Sequence, residues 1–139
     1  MIAMLTLYAL TNAGAAISAR DWTIARTLRV RRLYDALEQI RARGVAPCIL
    51  LRGMNDDEFW GGYYAMRRFV PDLQNVYLTP GAEREITSAM DTFGTVADYT
   101  MPPVRAREGL RTGTCAAFDL RQTPPRDVSQ EELTKLRMQ

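Results

Sequence analysis

Residues 52–62, RGMNDDEFWGG, put an arginine, an asparagine, three consecutive acids, two aromatics and a glycine pair into eleven positions. Asp56, Asp57 and Glu58 could hold a divalent cation through oxygen ligands, or one of them could act as a carboxylate base. Local geometry supports a different first reading. Asn55 is a favoured helix N-cap, and Glu58 stands three residues on, where it can reach back to the cap's own N–H. Asp56 and Asp57 then fill the first turn, where each opposes the helix dipole favourably by about 0.3–1 kcal/mol. Successive helical residues point about 100° apart, so three adjacent acids do not converge on one ion unaided. The acids therefore read as a helix start. A divalent cation is not favoured, and no cofactor is identified. Arg52 and Asn55 still stand where a ligand could meet them.

The chain has no histidine. Imidazole bases, Ser-His-Asp and Cys-His catalysis, and histidine-ligated metals are thereby excluded. General acid–base work would fall to Asp, Glu, Tyr, Cys or Lys135, the only lysine. The other 17 of the 18 basic residues are arginines, which suit bidentate contacts to phosphate or carboxylate. They are spread along the chain, and the net charge is only +2, so nucleic acid is a disfavoured partner. Arg26, Arg29 and Arg32 lie close to one helical face. Asp35 and Glu38 follow them, and pairs with Arg31, Arg32, Arg41 or Arg43 along the same helix would make this a solvated face.

Cys48 and Cys115 are too few for a disulfide framework in a chain of 139 residues. Both read as buried thiols, with a reactive Cys115 as the alternative. This suits a reducing cytoplasm, so a cytoplasmic location is expected. The apolar amino-terminal stretch lacks a basic flank, and Thr6, Thr11 and Asn12 interrupt it. It reads as neither signal peptide nor membrane span.

The elements that must position these residues follow from periodicity. Residues 4–10 read as a first strand and 11–18 as a loop. A helix follows from 19 to 43, ended by Gly44. On it Ile24 and Leu28 mark one stripe, while Val30, Leu33, Leu37 and Ile40 mark another. Strands are predicted at 45–52, 75–79 and 95–100, with helices at 56–69 and 80–93. Residues 101–114, rich in proline, glycine and arginine, read as an excursion or loop, and 115–120 as a fifth strand. Ser129 and Glu132 form a second capping-box pattern for a short final helix. The order predicts a single α/β domain over 1–120 with a polar tail over 121–139. Its architecture would be a three-layer sandwich, Rossmann-like or flavodoxin-like, with a mostly parallel sheet of four or five strands flanked by helices.

In open parallel sheets ligands meet the carboxyl ends of the strands. That rule selects Asn12 after the first strand, Arg52 and Asn55 after the second, and Thr79 after the third as ligand-binding candidates. Asp56 and Glu83 are the candidate proton-transfer groups. Thr100 and Tyr99 close the fourth strand. The loop TNAGAAIS carries neither a dinucleotide fingerprint nor a P-loop, although anion capture by a helix start near Ser18 stays open. Gly61 and Gly62 each cost about 1 kcal/mol inside a helix and imply a close neighbour. Phe59 and Tyr63 lie on one stripe, Trp60 and Tyr64 on another, and the four together suggest an assembly surface. Two functions are open. The first is binding of a nucleotide or of a phosphorylated or carboxylated metabolite at the sheet edge. The second is a non-catalytic, homo-oligomeric or complex-bound subunit using the 59–64 face and the tail. No motif names a reaction.

Overall fold

A computed structural model describes residues 2–44, 46–86 and 96–138, except the side chains of residues 2–12, 68, 71 and 72. Helix α1 spans Ile2–Ala42. The strand predicted at 4–10 and the loop after it are thus helical. Alanine, leucine and methionine dominate that stretch and are strong helix formers, and before Gly44 only Gly14 opposes continuation. At 1.5 Å per residue the helix is about 60 Å long. It touches the body through Leu33, Ala36, Leu37 and Ile40, all buried, whereas residues 13–24 are exposed. The predicted second stripe is therefore the core face. Ile24 and Leu28, on the first stripe, face outward.

Strand β1 (Cys48–Arg52) follows, then a helical stretch made of α2 (Asp56–Glu58), a π-helical turn (Phe59–Tyr63) and α3 (Tyr64–Phe69). The glycine pair falls in the π turn because α1 crosses there. A Cβ on Gly62 would lie 2.9 Å from Leu33 Cδ2, and one on Gly61 would lie 3.1 Å from Arg26 Nε. The close neighbour implied by the sequence is this chain's own first helix.

Strand β2 (Val76–Leu78) lies parallel to β1, with Leu50 opposite Tyr77. Beyond it only the short 3₁₀ segment Ala82–Glu85 is seen of the helix predicted over 80–93, and residues 87–93 lie outside the described ones. The strand predicted at 95–100 is instead a 3₁₀ turn over Val96–Tyr99, with Thr100 making one parallel bridge to Leu78. The predicted loop at 101–114 contains helix α4 (Pro103–Thr112). Its prolines stand at the start, where a missing N–H costs nothing, and Gly113 takes the left-handed stop position.

Strand β3 (Cys115–Asp119) is buried throughout and pairs parallel with β1 over five residues. The two-residue β4 (Arg126–Asp127) adds antiparallel to β3. The strand order is β2-β1-β3-β4. The protein is therefore a mixed α/β fold around one four-stranded sheet, with one antiparallel pair. Alternate strand residues feed two cores. Ile49, Leu51, Ala116 and Phe118 pack with α1, whereas Leu50 and Ala117 pack with Leu110 of α4 and with Leu133 and Leu136 of the last helix, α5 (Ser129–Arg137).

Helix α5 begins where the Ser129–Glu132 pattern predicted, but not by that device. Ser129 Oγ accepts the Ala117 N–H, and Asp127 Oδ1 accepts the Ser129 N–H. Glu132 turns into the protein instead. The cysteines are corrected as well. They are paired with each other, because the β1–β3 register sets Cys48 directly opposite Cys115.

Candidate functional site at the carboxyl edge of the sheet

The acids of the 52–62 segment act locally. The Asn55 side chain accepts the Glu58 N–H and Glu58 returns a bond to the Asn55 N–H, each 3.0 Å, so the capping box is complete. The arginine face of α1 then docks on this helix start. Arg29 lies 3.2 Å and Arg26 3.7 Å from Asp57, and Arg32 reaches buried Glu58 at 2.5 Å. These arginines pair across to a second helix rather than along their own, because both patterns face the same crossing point. Asp56, half-buried, opens α2.

The aromatic residues mostly turn inward. Phe59 and Tyr63 are fully buried, while Trp60 and Tyr64 are half-buried against the core. With Tyr99 they form one cluster of rings, their centroids between 4.9 and 5.9 Å apart. Tyr63 donates to the Val76 carbonyl at 2.6 Å, and burial raises its phenol above the usual range. It is therefore a neutral packing group, unsuited to proton transfer near pH 7.

Arg52 ends β1 beneath a ring of carboxylates. Its Nε donates to Asp119 at 3.0 Å, Nη1 to Glu132 at 2.6 Å and Nη2 to Glu131 at 2.7 Å. Burial opposes its charge, but the bonds it donates to Glu131, Glu132 and Asp119 outweigh that and raise its pKa further. Asp119, at the end of β3, also receives Arg121 at 2.7 Å. The Arg121 bonds, with Arg52 assisting, hold its carboxyl well below the ordinary range against the cost of burial. Arg52 thus clamps α5 to the ends of the two central strands. Each of its three nitrogens donates one hydrogen bond within the chain.

That clamp sets Lys135, one turn beyond Glu132, over the sheet edge. Glu132 is completely buried, and its Oε2 accepts no hydrogen bond; Lys135 Nζ stands 3.8 Å away. Lys135 also lines a cavity of about 320 Å³ with Pro80, Gly81, Glu83, Arg84, Thr100 and Pro103. Among the described residues the lining holds two cations, Lys135 and Arg84, and one carboxylate, Glu83, which already accepts the Gly81 N–H at 2.8 Å. Pro103, the first residue of α4, also lines the cavity, and neither it nor the preceding Pro102 has an N–H to offer there.

The residues singled out from sequence separate accordingly. Glu83 lines this cavity. Thr79 is buried immediately before it, its N–H given to the Leu51 carbonyl. Arg52 lies under the edge, whereas Asn55 is committed to its cap and Asp56 does not line the cavity. Asn12 belongs to α1 and to no strand exit, and its side chain lies outside the described ones. Lys135 and Arg84 were missed as ligand candidates. The only signal for Lys135 was its being the sole lysine, and its place in the tail hid its position.

Among the described residues no group of three or more Cys, Asp or Glu side chains is arranged to hold a metal ion. No helix among them is long and apolar enough to cross a membrane. No family model, curated protein or solved structure matches the chain.

Proposed function

We propose that this chain binds a small anionic molecule, a nucleotide or a phosphorylated or carboxylated metabolite, in the carboxyl-edge cavity. The observation that carries the reading is the convergence of Lys135 and Arg84 on one concave space. Lys135 has three donors and, among the described residues, one ion pair, at 3.8 Å, longer than a hydrogen bond. Arg52 is a positioning residue here, holding α5 so that Lys135 overhangs the edge. The two cores fed by alternate strand residues support a layered, Rossmann-like arrangement in which this edge is the usual binding side.

The test is a thermal-shift screen with inorganic phosphate, mononucleotides, sugar phosphates and dicarboxylates. A ligand at a hundred times its Kd should stabilise the chain by about 2.7 kcal/mol. Lys135→Met and Arg84→Met should each weaken that binding; Arg84→Met should leave the melting temperature of the free protein unchanged, whereas Lys135→Met should lower it, because Lys135 stands 3.8 Å from buried Glu132. No stabilisation by any of the panel, or binding untouched by both substitutions, would count against the cavity.

Assembly is a second reading, favoured by one observation. Ile17, Trp22, Ile24 and Leu28 are each at least half exposed along α1, and of the 59–64 aromatics Phe59 and Tyr63 are buried while Trp60 and Tyr64 are half-buried. A self-associating chain would show a mass above one protomer in light scattering, reduced by Ile24→Asp with Leu28→Asp. A monomer at high concentration would dispose of this reading.

A further inference from the structure

Cys48 opens β1 and Cys115 opens β3, and the parallel register sets them side by side with Cα atoms 4.4 Å apart. That separation is the short limit of what a disulfide spans. The strands do not depend on the bond for their pairing, which runs through five residue pairs from Cys48–Cys115 to Arg52–Asp119. The Cys48 N–H also donates to the Thr114 carbonyl at 3.1 Å.

The surroundings of the two sulfurs differ. Cys115 is buried under α4, and a Cβ on Gly109 would lie 2.5 Å from its Sγ, so the helix carries no side chain where it crosses. Cys48 is half-buried. Both residues line a cavity of about 410 Å³ at the amino edge of the sheet, the opposite end from the Lys135 cavity. Tyr77, Arg105 and Glu108 share its wall. Its volume suits a small molecule, and Arg105 offers a cation to one that carries carboxylates.

We propose that Cys48–Cys115 is a reversible disulfide, opened from this cavity by a low-molecular-weight thiol that attacks Cys48. In the first step the thiolate RS⁻ bonds to Cys48 Sγ. The Cys48–Cys115 bond breaks, and Cys115 leaves as a thiolate that takes a proton from water. A second RS⁻ attacks the R-bearing sulfur of the mixed disulfide, releasing Cys48 as a thiolate and RSSR. Two thiols are oxidised, and the protein disulfide gains two electrons to become a dithiol. Excess RSSR drives the reverse. The change is local: a covalent wall of the cavity becomes two thiols, while the β1–β3 ladder persists. A thiol-rich compartment would hold the open form and an oxidising one the closed form.

The experiment uses the full chain with reduced glutathione as the probe, without denaturant. Thiols are counted by alkylation and mass spectrometry, and circular dichroism follows the fold. Two alkylated cysteines with an unchanged spectrum, reversed by oxidised glutathione, are expected. A bond that opens only after denaturation, or thiols that never pair in oxidised glutathione, would overturn the proposal. In Cys115→Ser treated with oxidised glutathione, the Cys48 thiolate attacks one sulfur and releases the other as glutathione, so the mixed disulfide should accumulate on Cys48; Cys115 in Cys48→Ser modifying faster under the same conditions would overturn the direction of attack. Arg105→Glu should slow reduction by glutathione several-fold but not by uncharged 2-mercaptoethanol. Equal rates of glutathione reduction for both proteins would remove Arg105 from the account.

Discussion

Replacing Arg52 with methionine tests the clamp beneath the sheet edge. The substitution keeps an apolar stem but removes three charge-assisted hydrogen bonds, to Asp119, Glu132 and Glu131. Glu131 is about half exposed and contributes little. Asp119 and Glu132 are 5% and 0% exposed, so each loses a hydrogen-bonded cation while buried; Asp119 keeps Arg121, and Glu132 keeps Lys135 at 3.8 Å. Breaking a buried pair from one side costs about 3–5 kcal/mol. Two lost bonds of about 1.5–3 kcal/mol each give a similar sum. Urea denaturation at pH 7 should show that loss, and the melting temperature should fall by about 10 °C. The pH dependence makes the reasoning sharper. Asp119 has a depressed carboxyl pKa in the folded protein. Its contribution to stability is therefore present above the unfolded value of about 3.9 and is lost as pH falls below it. In the variant one of the bonds holding that carboxyl down is gone, while those from Arg121 remain. The gap between the two proteins should therefore hold from pH 7 to the unfolded value and narrow only as pH falls below it toward the folded one. A loss under about 1 kcal/mol at pH 7, or a gap that closes well above about pH 4, would refute the buried ionic clamp.

Further outcomes follow from the same packing. Glu131→Gln should cost less than about 1 kcal/mol in urea, since its pair with Arg52 is exposed to solvent. Asn55→Ala should lower stability by about 1 kcal/mol by removing the cap of α2, with no loss of ligand affinity at the Lys135 cavity. Gly53→Ala should destabilise by at least about 1–2 kcal/mol, since Gly53 has φ 77° and an added Cβ would lie 2.7 Å from Arg121 Cγ and 2.8 Å from Asp119 Oδ1. Tyr63→Phe should cost about 1–3 kcal/mol by leaving the Val76 carbonyl without its buried donor. Urea midpoints at constant slope are the measurement for each.

Local rules made part of this protein legible. The Asn55–Glu58 capping box, the strands within 45–52 and 75–79, the stop at Gly44 and the strand at Cys115 are set by residues a few places apart. Their energetics are already present in the neighbouring chain. The glycine pair also announced a close neighbour, though not that the neighbour is α1. Where opposing local signals competed, the stronger one was harder to see. The apolar run at 4–10 has no strand beside it and continues as helix, and the prolines of 101–114 open a helix instead of forbidding one.

The site itself depends on contacts between residues far apart. Arg52 meets Glu132 across 80 residues and Asp119 across 67, and Cys48 meets Cys115 across 67. Composition alone excluded histidine chemistry and singled out Lys135. The residues around it were chosen by strand order. Once β3 inserts beside β1, an arginine at one strand end and a carboxylate at the other are forced together. Helix α5 must then seat its Glu132 on them, which carries Lys135 to the edge. No spacing along the chain encodes that approach, because its free energy arises only when the sheet closes and the charges leave water.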